Sequence, residues 1–81
     1  MTRESVVKRL QDIFRDIFNE PDLLIYDNMT ANNIDEWDSL NHINLLGAIQ
    51  REFKIEFALI ELQHLNSVGT LIDYILKKTN K

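Results

Sequence analysis

Cysteine is absent from this sequence of 81 residues, and glycine and proline are scarce, with two and one respectively. The lack of cysteine excludes a disulfide framework and thiolate chemistry from the chain itself, and we therefore expect a cytoplasmic protein. So few glycines and prolines leave little of the turn chemistry that closely spaced β-strands need. The composition thus favours helices over strands.

Long apolar runs are also missing. No segment approaches the roughly 20 apolar residues that a membrane-spanning helix needs. Residues 1–5 lead directly into a charged amphipathic pattern, without the apolar region of a secretory signal. A hydrophobic fraction of 44% and a charged fraction of 27% are ordinary for a folded domain. We expect one monomeric domain over residues 1–81, with no membrane partner.

Positive charge is in short supply, because 9 Lys and Arg residues face 13 Asp and Glu residues and give a net charge of −4. Nucleic-acid binding needs clustered lysines and arginines, so no nucleic-acid partner is expected. The negative charge is concentrated in residues 19–38, which we call the acidic segment. It contains no base, and its acids are Glu20, Asp22, Asp27, Asp35, Glu36 and Asp38.

A first amphipathic helix is predicted between Thr2 and Asn19. Thr2 is a favoured N-cap residue, apolar side chains follow at intervals of three and four, and Pro21 disfavours helix in the residue before it. Residues 20–37 sustain no period and are predicted to form a long loop, a feature that is often functional in compact domains. The loop carries apolar anchors, namely Leu23, Leu24, Ile25, Tyr26, Met29, Ile34 and Trp37.

Three further helical segments are predicted after the loop. Asp38 or Ser39 can cap a second helix, whose apolar stripe continues through Leu40, Ile43, Leu46, Ile49 and Phe53. The pattern at residues 54–57 predicts an extended connector, and the pattern at residues 58–64 predicts one or two helical turns. Ser67 can then cap a last helix. The predicted fold is all-α, a four-helix bundle with three longer helices, one short third helix and a long loop between helices 1 and 2.

Catalytic and metal chemistry have few candidate residues. Nucleophilic catalysis needs a base and an orienting group beside the nucleophile, and the only histidines are His42 and His64. His42 follows Ser39 by three positions, but no third member accompanies the pair, so we interpret His42 as facing solvent. Two isolated histidines and scattered carboxylates lack the spacing of metal sites and of calcium loops. We predict neither an enzyme nor a metal site.

The segment EWDSLNHI at residues 36–43 carries the most specific pattern in the chain. Its Asp-Ser-Leu core opens the second predicted helix and is followed by FKIEF at residues 53–57 and by the last helix. With the first helix and the long loop before it, the sequence resembles the acyl carrier protein family over nearly its whole length. The resemblance implies a free-standing carrier whose serine receives 4′-phosphopantetheine from coenzyme A. The terminal thiol of this arm would then hold acyl groups as thioesters.

Carried over to this sequence, the resemblance makes Ser39 the attachment residue for the arm. Asp38 would assist the transfer or simply cap the helix, and Leu40 would lie beside the arm. A helix N-terminus favours a negatively charged group such as a phosphodiester. The implied partners are a phosphopantetheinyl transferase and the acyl-loading and acyl-processing enzymes. The expected partner contacts are Asp35, Glu36, Trp37, Leu40, Ile43, Asn44, Leu59 and Ile60.

The second helix departs from the pattern of carriers in bulk fatty acid synthesis, which usually present a strongly acidic second helix. Here Arg51 and Glu52 are its only formal charges. Trp37 also replaces the small residue often found before the Asp-Ser pair. We therefore expect a specialised pathway, such as polyketide-like, modified-sugar or surface-polymer assembly. Two alternatives stay open, a carrier of aminoacyl or peptidyl groups and an unmodified helical adaptor.

Overall fold

Three α-helices, α1 at Arg3–Ile17, α2 at Ser39–Phe53 and α3 at Val68–Thr79, frame the molecule. They were obtained from a computed structural model that describes residues 2–80. Two short 3₁₀ turns lie in the connections, at Ala31–Asn33 and Glu61–His64, and no β-strand occurs within residues 2–80. The all-α prediction is confirmed. The short third helix is the second 3₁₀ turn, so the bundle has three α-helices rather than four.

The helix boundaries follow from local capping. The Thr2 hydroxyl accepts the Ser5 N–H at the start of α1, and Ser67 forms a reciprocal capping box with Thr70 at the start of α3. Lys54 ends α2 in the left-handed conformation, with φ of 54°. Helices often end in this conformation, which lets the N–H after the helix reach back to one of the last carbonyls. The predicted limits of the three longer helices are confirmed.

One hydrophobic core unites the three helices with the long loop. Phe14 of α1 is fully buried, and its ring meets the ring of Trp37 edge-on, with centroids 5.3 Å apart. Met29 and Ile34 of the loop are also buried, so the loop closes one side of the core. The other fully buried side chains are Val6, Leu10, Leu45, Ile49, Leu65, Val68, Leu71, Ile72 and Ile75. None of the helices within residues 2–80 has the length and apolar character needed to span a membrane.

The long loop is also tied to α3 by its backbone. The Val68 N–H donates to the Met29 carbonyl at 3.0 Å, and the Gly69 N–H donates to the Asp27 carbonyl at 2.9 Å. The Asp27 side chain forms a 2.6 Å ion pair with Arg3 of α1. These bonds fix a segment that has no regular secondary structure over most of its length. They therefore determine where the chain enters α2.

The buried face of α2 differs from the predicted stripe at its beginning. Leu40 and Ile43 are 68% and 67% exposed. The buried side chains of α2 are Leu45, Leu46, Ile49 and Phe53. His42 lies three positions before Leu45 and four before Leu46, so it shares a helix face with both, whereas Ile43 has this spacing only to Leu46. The inward position in the first turn of α2 is therefore held by a polar residue, and two apolar residues face solvent.

Candidate functional site

Ser39 is the first residue of α2 and is exposed to solvent. Asp38 caps this helix, because its Oδ1 accepts the Asn41 N–H at 2.9 Å. The Asp38 carbonyl accepts the His42 N–H at 2.8 Å and begins the helical hydrogen-bonding pattern. The Ser39 hydroxyl makes no hydrogen bond to any other residue of the described chain. The cap of α2 therefore does not depend on this hydroxyl.

The first turn of α2 suits a negatively charged substituent. An α-helix leaves its first N–H groups without helical acceptors, so those of Ser39 and Leu40 are available at this end. The positive end of the helix dipole lies at the same place. A phosphodiester on Ser39 is thus compatible with the donors and the dipole around it.

The end of the acidic segment is held against this turn. The Asn41 side chain donates to the Glu36 carbonyl at 2.7 Å, and the Asp38 N–H donates to the same carbonyl at 3.0 Å. Asp35, Glu36 and Asp38 are all exposed. The structure therefore holds the backbone of Glu36 against the first turn of α2, next to Ser39.

A cleft of about 340 Å³ opens beside Ser39. It lies between the first 3₁₀ turn, the start of α2 and the residue that precedes the α3 cap, and it is lined by Ala31, Trp37, Asp38, Ser39, His42 and Asn66. A larger concavity lies near the C-terminal ends of α2 and α3, away from the predicted site residues. The cleft is therefore the concave surface that adjoins the candidate site.

Trp37 and His42 form a pair within this cleft. The indole Nε1–H of Trp37 donates to Nδ1 of His42 at 2.9 Å, and the two rings stack with an interplanar angle of 28°. Burial lowers the pKa of His42 from its ordinary value. The interpretation of His42 as a solvent-facing residue is wrong, because this side chain is partly buried and accepts the hydrogen bond of a buried indole. Its place in the periodic series of buried residues on α2 was the available sequence signal.

Most of the predicted partner contacts lie on the surface. Leu59 and Ile60, just before the second 3₁₀ turn, are 83% and 69% exposed. The other exposed residues of the predicted set are Asp35, Glu36, Leu40, Ile43 and Asn44. Trp37 differs, since it is only 4% exposed and its ring packs against Phe14 and Phe18. A side chain covered in this way offers no contact surface, so the structure does not place Trp37 among the surface contacts.

Metal-binding residues are not clustered in the part of the chain that the structure describes. Within residues 2–80, no group of three or more His, Asp or Glu side chains is close enough together to hold a metal ion. The carboxylates beside Ser39 are exposed and extended along the loop. Their arrangement supplies surface charge near the start of α2.

Comparison with known proteins gives three results. Residues 8–75 match the family model described as the phosphopantetheine attachment site. The chain is 26% identical to an acyl carrier protein of Cyanidium caldarium over 81 residues, which cover 99% of this chain and 93% of that protein. Its fold is similar to the solution NMR structure of holo acyl carrier protein from Geobacter metallireducens, with a TM-score of 0.86 and 42% identity over 91% of this chain and 85% of that one.

These similarities agree with the pattern at residues 36–43 and with the helical architecture around it. The family model spans most of the chain, including α2 and the cleft beside it. The sequence identity to the Geobacter protein extends over almost the whole fold. This chain therefore belongs to the acyl carrier protein family, whose cofactor is covalently bound 4′-phosphopantetheine.

Proposed function

We propose that Ser39 is the residue of this acyl carrier protein to which the phosphopantetheine arm is attached. The observation that carries the proposal is the division of roles at the start of α2, where Asp38 caps the helix and Ser39 presents an exposed hydroxyl. A transferase can use this hydroxyl without disturbing the cap. When bound, the arm supplies a terminal thiol that holds acyl intermediates as thioesters. The chain itself has no cysteine to do this.

Asp38 and Leu40 flank the attachment residue and have different proposed roles. Asp38 fixes the first turn of α2 and so holds Ser39 in place. Leu40 is exposed next to Ser39 and offers apolar surface beside the arm. Members of this family normally carry out no catalysis, and we assign none to this chain. The carrier acts as a monomer in the cytoplasm and receives its arm from a phosphopantetheinyl transferase.

The proposed docking surface for acyl-loading and acyl-processing enzymes combines exposed apolar residues with nearby acids. Its apolar part consists of Leu40 and Ile43 of α2, with Asn44 beside them, and of Leu59 and Ile60. Asp35 and Glu36 supply negative charge close to Ser39. Because α2 is nearly neutral, partner enzymes are expected to dock on it through apolar and polar contacts more than through charge. This difference from strongly acidic carriers supports a role in a specialised pathway.

An intact-mass measurement tests the attachment residue. The unmodified protein is incubated with coenzyme A and a phosphopantetheinyl transferase, beside Ser39→Ala and Ser5→Ala. Ser5 is a matched control, because it is also an exposed serine in the first turn of a helix. The wild type and Ser5→Ala are expected to gain one phosphopantetheine, and Ser39→Ala none. Modification of Ser39→Ala would refute the assignment of Ser39 as the attachment residue. A wild type that stays unmodified would favour the alternative function of an unmodified helical adaptor.

A further inference from the structure

We infer that His42 binds the proximal end of the arm: its Nε2–H donates a hydrogen bond to the phosphodiester on Ser39, and Trp37 positions the imidazole for this contact. The inference rests on the proposed attachment at Ser39. It assigns a role to the cleft beside Ser39 and to the Trp37–His42 pair. Attachment of the arm by itself requires neither of them.

The protonation pattern of His42 follows from its partner. An indole N–H is only a donor, so the 2.9 Å bond from Trp37 Nε1 requires that Nδ1 of His42 be the acceptor. A neutral imidazole with an accepting Nδ1 carries its proton on Nε2. Burial lowers the pKa of His42 and thereby favours this neutral form. Nε2 of His42 is therefore a hydrogen-bond donor.

The position of His42 brings this donor close to Ser39. The two residues are three positions apart on α2, and side chains at this spacing have Cβ atoms about 5–6 Å apart on one face of a helix. Both residues line the same cleft. Within residues 2–80, Nε2 of His42 makes no hydrogen bond to protein. Phosphate oxygens accept hydrogen bonds only, so the donor and the expected substituent are complementary.

Trp37 restrains the imidazole from the other side. Its ring is buried against Phe14 and Phe18, so the indole N–H has a fixed position at the boundary of the core. The stacked arrangement of Trp37 and His42 further limits rotation of the imidazole. A hydrogen-bond donor that is already ordered loses less entropy on binding than a freely rotating one. The contact with Trp37 therefore orders the imidazole of His42 in the cleft before the arm is attached.

Two variants separate this role from a purely structural one. If His42 served only to accept the indole N–H, His42→Asn would replace it, because the side-chain oxygen of asparagine can occupy the place of Nδ1. That variant lacks a donor at the reach of Nε2. His42→Gln places an amide N–H near the position of Nε2. Asparagine therefore preserves the contact to Trp37, and glutamine preserves the proposed contact to the phosphodiester.

Phosphorus NMR of the modified proteins tests the contact. Wild type, His42→Asn and His42→Gln are loaded with the arm, checked by intact mass, and measured folded and in denaturant at one pH where His42 is neutral. The folded wild type is expected to show a ³¹P shift displaced from its denatured value. His42→Gln should keep more of this displacement than His42→Asn, in which only the contribution of the helix N-terminus remains, while the tryptophan fluorescence of His42→Asn stays native.

The outcomes distinguish the two proposals. Equal ³¹P displacement in the wild type and His42→Asn would refute the contact from His42 and leave attachment at Ser39 intact. A wild type without displacement would also refute the contact. A wild type that gains no mass would refute attachment itself, and with it the role of His42.

Discussion

Nζ of Lys78 lies 2.8 Å from Oε1 of Glu61, so an ion pair joins the second 3₁₀ turn to the last turn of α3. The same oxygen accepts the Ala58 N–H at 2.6 Å. The hydrogen bond from Lys78, followed by that from Ala58, lowers the pKa of Glu61 from its ordinary value. The Glu61 carboxylate therefore connects the segment at residues 58–61, which includes Leu59 and Ile60, to α3.

This carboxylate should make a pH-dependent contribution to stability. Because the pKa of Glu61 is lower in the folded state, its contribution is fully present above the unfolded-state pKa and is lost as the pH falls through the folded-state pKa. Glu61→Gln should lower the melting temperature at pH 7, and the difference from wild type should shrink on acidification. Thermal melts from pH 7 to pH 3 check this, with exposed Glu56→Gln as control. A difference that is constant with pH would contradict it.

Capping of α2 gives a second prediction. Asp38→Ala should reduce the free energy of unfolding by about 1 kcal/mol, the usual loss for an N-cap side chain. Ser39→Ala should change it little, because Asp38 makes the bond to the Asn41 N–H. Denaturant unfolding of the unmodified proteins measures both. Asp38→Asn is the control that keeps a capping oxygen, and an equal loss in Ser39→Ala would assign the cap to Ser39.

The acids before Ser39 should accelerate association with a basic transferase. Exposed charges act over roughly 8–10 Å at physiological salt, and Asp35 and Glu36 lie within four residues of Ser39. Asp35→Asn with Glu36→Gln should lower the association rate and flatten its dependence on salt. The control with the same charge change is Glu4→Gln with Glu56→Gln, two exposed acids that lie outside the acidic segment. Stopped-flow measurements of the association rate over a salt series test this. If the association rates of the two double variants depend equally on salt, the acidic segment has no role in recognition by the transferase.

The exposed leucines of the docking surface should contribute to partner binding and not to folding. Leu40→Ala and Leu59→Ala are each expected to weaken binding of an acyl-processing enzyme about tenfold, which corresponds to about 1.4 kcal/mol. Leu24→Ala is the matched control, because Leu24 is 69% exposed and Leu40 is 68% exposed. Titration calorimetry and thermal melts measure affinity and stability together. Equal affinities for all three variants would exclude these leucines from the interface.

The two glycines should respond to alanine with opposite signs. Gly47 lies within α2, and an added Cβ would be 3.5 Å from the flexible end of Arg51, so Gly47→Ala should stabilise the fold by about 0.5–1 kcal/mol. At Gly69 the added Cβ would be 3.1 Å from the Asp27 carbonyl oxygen, which the Gly69 N–H also contacts. Gly69→Ala should therefore destabilise the fold. Denaturant unfolding of both variants is the test, and stabilisation at both positions would contradict the close approach of loop and helix.

Much of the fold could be predicted because helix limits depend on residues close together in the chain. Thr2 and Ser67 cap helices by bonding residues three positions ahead, and these bonds need no distant partner. The short third helix was harder to define, because a segment of one or two turns gains little from its own hydrogen bonds. Its Glu61 also pairs with Lys78, a contact that the local pattern does not predict because Lys78 is remote in sequence.

The candidate site divides in the same way. The position of the Asp-Ser-Leu segment at the start of α2 could be predicted from the sequence, because the helix period and the cap are local. The burial of Trp37 could not, because it depends on ring contacts with Phe14 and Phe18, at the C-terminal end of the first helix and remote in sequence. That burial requires a partner for the indole N–H and turns His42 inward, while Leu40 and Ile43 face solvent. From hydrophobicity alone, Leu40 and Ile43 would be expected to be buried and His42 to be exposed. Hydrophobicity does not specify which surfaces of distant segments come into contact.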